Sequence, residues 1–270
     1  MGLEFLTPFG VAFGRCALGA LTLLAWASYK RISLPKSKRL WAHLWVVAML
    51  LNVVPGVLFA LAQTEVTSIL AGIINAVTPL MTLIAIMVVT REEKPKFYQV
   101  LGITIGFVGV LTVLGAWKGL GDNPLWAILI LLFAVTCYGF SFPYSRRFII
   151  PHKLPSESIA AAQVTAGALT LLPFYLLDGI AEDNYRPGPV LAMLALGIFG
   201  SGFAYIWNFK VMELAGSAIA SSVTYLTPVV AVIVGLIFLK EDLSWYEPVG
   251  ALIVLFGAAI GQNRIKFPEK

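Results

Sequence analysis

Ser68, Gly72, Asn75 and Pro79 stand at i, i+4, i+7 and i+11, and Ser217, Ser221, Thr224 and Pro228 repeat that spacing 149 residues later. Such spacing puts each set on one face of a helix. Both sets lie inside apolar runs, VTSILAGIINAVTPLMTLIAIMVVT from Val66 to Thr90 and GSAIASSVTYLTPVVAVIVGLIFLK from Gly216 to Lys240. A run of this length can cross a hydrocarbon core of ~30 Å at ~1.5 Å per residue, which leaves Thr78-Pro79 and Thr227-Pro228 near the midplane. Proline has no N–H and clashes with the carbonyl four residues back, so the carbonyls of Asn75 and Thr224 are expected to lose their helical partners. In hydrocarbon such groups must be served by protein, water or a ligand. The chemistry expected is therefore the handling of a solute. Asn75 and Thr224 are the leading candidates, because a polar side chain and an unpaired carbonyl coincide there. Ser68, Ser217 and Ser221 extend the two stripes, and Thr78, Tyr225 and Thr227 flank the breaks. Close helix packing, which small residues favour in membranes, is the alternative reading of the stripes.

Arg15 is the one charge deep in a span. Burying an arginine there costs at least ~2.5 kcal/mol, so it must face a partner or a cavity. It could meet a substrate carboxylate, although a structural role, bonding carbonyls or water between helices, is the preferred reading. Tyr138, Ser141, Gln163, Tyr205 and Asn208 are polar groups in other spans, where single polar residues usually bond a neighbouring helix. Gly102-xxx-Gly106 and Gly257-xxx-Gly261 read as packing motifs. His43 and His152 have no metal-ligand company, and Cys16 and Cys137 fall in apolar runs, so neither a metal, a cofactor nor a disulfide framework is indicated. No aspartate or glutamate sits in mid-span, which leaves proton coupling without a candidate group. Gly119-Leu120-Gly121-Asp122 matches an intramembrane aspartyl protease signature in letters only. Asp122 falls in a loop and no second aspartate faces it, so no enzyme is expected.

These residues need a membrane scaffold. The chain has 270 residues, 59% hydrophobic and 12% charged, with a mean hydropathy of +0.87. Water-facing surface requires more charge than that, which excludes a soluble globule. Nine spans are expected, at about 6–29, 41–62, 66–90, 97–117, 124–144, 157–177, 188–209, 216–239 and 245–263. The first ends in Tyr29-Lys30-Arg31 and lacks a small-residue cleavage site, so it reads as a span, not a signal peptide. Alternate loops carry fifteen of the nineteen cations. By the positive-inside rule the C-terminus is cytoplasmic, and the net charge of +5 is a topology signal with no nucleic-acid partner implied. All seven tryptophans stand near span ends, as an interfacial belt would place them.

The 149-residue echo extends beyond the two runs. GALTLL occurs at Gly19 to Leu24 and again at Gly167 to Leu172, and Arg91-Glu92-Glu93 falls on Lys240-Glu241-Asp242. Gly102 and Gly109 fall on Gly250 and Gly257 after a one-residue gap. Equivalent spans are five apart, an odd number, so the repeats are inverted, as in secondary transporters with broken helices at the midplane. The order and duplication of Ser68, Asn75-Ala76-Val77-Thr78-Pro79, Ser217, Leu226-Thr227-Pro228 and these turns and glycines resemble the drug/metabolite transporter superfamily, specifically EamA-type permeases. That resemblance covers essentially the whole chain. It implies an all-α integral membrane protein of two inverted five-helix repeats, here 1–117 and 118–270. The first repeat shows four spans, its first helix falling before Met1. It also implies a cell-membrane secondary transporter, exporting amino acids or similar small polar metabolites by alternating access, with the bilayer and a small-molecule substrate as partners and a homodimer as a compatible assembly. A membrane partner subunit that carries nothing is the rival expectation.

Overall fold

The computed structural model describes residues 3, 6–90, 97–113, 117, 124–180, 187–234, 237, 244–261 and 263. Among them the backbone is helical with short connections and no strand; an antiparallel bridge joins Leu6 to Ile180. The helical rods are α1 (Pro8–Tyr29), α2 (Lys38–Ala62), α3 (Ser68–Val89), α4 (Phe97–Val113), α5 (Leu125–His152), α6 (Ser156–Asp178), α7 (Pro187–Ala215), α8 (217–234) and α9 (Tyr246–Gly261). Six of them, α1, α2, α3, α5, α6 and α7, are long and apolar enough to cross a membrane.

Local sequence sets where they start. Thr7 caps α1 by accepting from the Gly10 N–H at 3.2 Å, with Pro8 in the first turn where its missing N–H costs nothing. Ser37 caps α2 and Thr67 caps α3 in the same way. Gly216 ends α7 at φ +85°, a conformation that a side chain strains, and α8 begins at the next residue. Four pairs of helices begin 148 or 149 residues apart: Pro8 and Ser156, Lys38 and Pro187, Ser68 and Ser217, Phe97 and Tyr246.

The chain folds as two compact units, residues 1–61 with 144–216 and residues 62–143 with 217–270. Each unit therefore takes chain from both ends of the sequence. In the first, α1 packs along α6 and against α7, and α2 lies on α6. Phe9 stacks on Phe174 and Phe13 on Tyr175, and Thr7 and Gly179 tie the start of α1 to the end of α6. In the second, α9 packs along α4, and α3 crosses α8.

Glycine makes the α4–α9 contact. A Cβ at Gly257 would stand 2.5 Å from the Gly106 nitrogen and 2.7 Å from the Gly102 carbonyl oxygen, and one at Gly109 would stand 2.6 Å from the Val254 nitrogen. The two backbones touch, as the small-xxx-small spacing predicts. Away from these seams large apolar side chains face outward, among them Phe107, Phe133, Leu169, Leu177, Leu252 and Phe256. On a protein in water that much exposed apolar surface is a liability, whereas a bilayer is its ordinary solvent.

Candidate functional site

The two stripes meet in the second unit. The first half of α3, Ser68–Asn75, packs on the second half of α8, Thr227–Val234, while the first half of α8, Ser217–Ser221, packs on the second half of α3. The rods are thus antiparallel and cross at their breaks. Asn75 and Thr78 in α3 and Thr227 in α8 form the polar link at that crossing. Asn75 Nδ2 donates to Thr227 Oγ1 at 3.3 Å, and Thr78 Oγ1 donates to Asn75 Oδ1 at 3.2 Å. Asn75, Thr224, Thr227 and Ser68 are half-buried, and Thr78, Pro79, Ser217 and Ser221 are buried. The side chains of Tyr225 and Pro228 lie outside the described residues, as do the Arg91-Glu92-Glu93, Lys240-Glu241-Asp242 and Gly119 to Asp122 motifs.

At each proline the helix tightens. Ala76 and Val77 donate to the carbonyls three residues back, Ile73 and Ile74, and residues Ser222–Leu226 form a 3₁₀ segment. That segment falls on 73–77 at the 149-residue shift. The expectation of an unpaired carbonyl at Thr224 is corrected by this tightening: its oxygen accepts from the Thr227 N–H, which the three-residue register brings within reach. The hydroxyls are also largely engaged with their own helices. Thr224 Oγ1 donates to the Ser221 carbonyl, Ser221 Oγ to Ala218 and Thr82 Oγ1 to Thr78. Asn75 is the group whose bonding crosses from one broken helix to the other while part of it stays exposed.

Arg15 stands in the first unit, on α1, where its Nε donates to Ser201 Oγ on α7 at 3.3 Å. Ser201 lies in a π-helical stretch, Leu196–Phe203, and α2 holds another at Met49–Val53. Shifted by 149, the second stretch falls inside the first, and Asn52 falls on Ser201. Arg15 in turn falls on Gln163 at a shift of 148. Single-turn π segments inside helices are frequent at functional sites. Tyr205 Oη, just past the stretch in α7, reaches the Leu51 carbonyl in the stretch of α2 at 3.4 Å. Asn52 does not stand out by spacing or motif. The signal that finds it is the pairing of polar positions across the repeat.

His43 donates to or accepts from Tyr144 Oη at 2.8 Å and stacks on Phe148 with ring centroids 5.0 Å apart. No group of three metal-ligating side chains occurs among the described residues. Tyr138 and Ser141 are joined through the Ser141 hydroxyl on the Tyr138 carbonyl, a local helix bond.

The sequence matches the EamA-like transporter family over residues 1–115 and 125–260. A transporter of Archaeoglobus fulgidus is 27% identical over 95% of this chain and 88% of its own length. The inner membrane transporter YedA of Escherichia coli K12 is 27% identical, over 100% of this chain and 87% of its own. The transporter YdfC of Bacillus subtilis is 24% identical over 100% of this chain and 86% of its own. A solved crystal structure at 20% identity superposes with a TM-score of 0.67 over 94% of this chain and 88% of that one, a likeness of fold. With both long segments matched, and with apolar rods to carry them through a bilayer, the chain belongs to the EamA-like transporter family.

Proposed function

We propose that the protein is a secondary carrier that moves a small polar solute through alternating access around the crossing of α3 and α8. The observation that carries this reading is the antiparallel pairing of two helices, each broken at a Thr-Pro pair 149 residues from the other, with Asn75 bridging to Thr227 at the break. Helices that unwind at the same depth and run in opposite directions are where secondary transporters hold their solutes. The matched helix starts support two inverted repeats, 1–117 and 118–270, and the loop cations support a cytoplasmic C-terminus; nine membrane spans complete this reading. Asn75, Thr224, Thr227, Thr78, Ser68, Ser217, Ser221, Tyr225, Pro79 and Pro228 form the pathway in this reading, with Arg15 as a second contact. The solute class is amino acids or similar small polar metabolites, the direction is export, and a homodimer is a compatible assembly.

The test is flux. Protein reconstituted into liposomes with a panel of labelled amino acids is expected to show saturable transport that Asn75→Leu with Thr224→Val abolishes while the protein stays monodisperse. Unchanged transport in that double variant would sink the site, and no saturable flux for any solute would favour a partner subunit that carries nothing.

A further inference from the structure

We propose that the first unit holds a second binding site, built from the side-chain amides of Asn52 and Gln163 beside Gly167 and Cys16, for a neutral carboxamide-type group. Asn52 is 6% exposed and Gln163 0%. Neither the nitrogen nor the oxygen of either amide has a hydrogen-bond partner among the described residues. Buried polar groups in native proteins are nearly always partnered, so two amides with four unserved atoms in one unit point to a guest.

The two amides belong together. Gln163 and Gly167 stand one turn apart on the same face of α6. A Cβ added at Gly167 would lie 3.6 Å from Asn52 Cβ, Asn52 Nδ2 and Cys16 Sγ. Asn52 itself sits in the π-helical stretch of α2, where the ordinary register is broken.

The repeat supplies an internal control. On the equivalent arm, Gly19 of α1 faces Ser201 of α7, and a Cβ there would lie 2.5 Å from the Ser201 carbonyl oxygen. That arm is closed backbone to backbone, and its polar pair, Arg15 and Ser201, is bonded. At Gly167 a methyl would sit at ordinary contact distance, and the polar pair is unserved. The same architecture is thus closed backbone to backbone on one arm and less tightly packed, with its amides unserved, on the other.

The donor set selects the guest. However each amide is flipped, it presents one oxygen and one NH₂. A carboxylate would satisfy the nitrogens and set negative charge against both oxygens. A cation would satisfy the oxygens and meet both NH₂ groups, with Arg15 one residue from Cys16 on the adjoining helix. A neutral group carrying a donor and an acceptor side by side serves all four atoms.

Thermal unfolding of the purified full chain in detergent, followed by tryptophan fluorescence, tests this with propionamide, propionate and propylammonium as matched probes. Propionamide is expected to raise the midpoint by a few degrees at about ten times its Kd, with the two charged isosteres inert. Gly167→Ala fills the gap, and Asn52→Leu with Gln163→Met removes the amides. Gly167→Ala is expected to unfold near the wild-type midpoint and the amide variant at or above it, and both to lose the response. Equal shifts from all three solutes, no shift from any of them because water alone serves the amides, or a shift that survives Asn52→Leu with Gln163→Met would each overturn the site. If Gly167→Ala aggregates, the amide variant decides. The readout needs no flux, so a carboxamide response without transport would overturn the carrier reading alone, and transport without a response would overturn this site alone.

Discussion

The two compact units solve the problem of a polar group in hydrocarbon in opposite ways. In the second unit the polar residues at the broken helices, Ser217 Oγ excepted, bond one another or their own backbone, and the neighbouring seam is closed by glycine until backbones touch. In the first unit π-helical turns in α2 and α7 coincide with polar side chains, and seven of the eight buried side-chain atoms without a partner among the described residues lie there. Since an unserved buried polar atom costs on the order of 1–3 kcal/mol, the second unit is expected to be the stiffer and the first the more readily rearranged.

The largest effect should come from the glycine seam. Gly257→Leu drives a side chain into the Gly102 and Gly106 backbones, which cannot step aside without separating α4 from α9. Overpacking costs ~1–3 kcal/mol where side chains can adjust; here the obstruction is main chain, so loss of the monodisperse peak in size-exclusion chromatography is expected. Gly188→Ala, with nothing within 4 Å, is the matched control and should behave as wild type. A folded, stable Gly257→Leu protein would mean that the second unit is not the rigid one.

The next comparison lies within the first unit. Gly19→Ala is expected to cost about 1–3 kcal/mol, because the Ser201 carbonyl must move. Gly167→Ala is expected to change stability by no more than ~1 kcal/mol in either direction, the methyl fitting and the unfolded chain losing freedom. Unfolding midpoints measured side by side check the pair. Equal losses would erase the difference between the two arms.

How much of this was legible beforehand follows from what each feature depends on. The apolar rods and their spacing are properties of composition and period, so the expected starts fall within a few residues of the structure: 66 against Ser68, 157 against Ser156, 188 against Pro187. Gly102, Gly106, Gly257 and Gly261 were readable as packing motifs because only small residues let helices approach. The proline breaks were readable too, since a missing N–H is a fact of covalent structure. What the helix does about the break was not. Whether the Thr224 carbonyl stays open or is taken by the Thr227 N–H depends on a local tightening that no residue type dictates. The π-helical turns were hidden for the same reason: Met49–Val53 reads as five ordinary helix residues, and its register is set by what packs on it. Asn52 therefore carries no signal in the sequence, and Gln163 reads only as one polar group among several in the spans.

A smaller loss is expected from Ser201→Ala, about 1 kcal/mol, since it removes one hydrogen bond from a charged donor at a long 3.3 Å. Arg15 keeps its place on α1 in that variant, so a midpoint shift of a few degrees with flux retained would mark the pair as structural. Flux lost with the midpoint held would move Arg15 into the pathway.

The smallest stability effect should be at Thr224, and that makes it the sharper probe of the carrier reading. Its hydroxyl donates to the Ser221 carbonyl three residues back in the same helix. Such local bonds compete with the backbone ladder and add little, and valine keeps the side chain's shape, so Thr224→Val is expected to shift stability by no more than ~0.5 kcal/mol. Asn75→Leu, by contrast, cuts the link between two helices and leaves the Thr78 and Thr227 hydroxyls to find other partners, so the protein is expected to stay monodisperse with a lowered midpoint. A drop in flux there has two explanations. At Thr224 it has one: with the midpoint unchanged, a fall in saturable transport means that the solute itself uses that hydroxyl, and unchanged flux confines the pathway to the Asn75 side of the crossing.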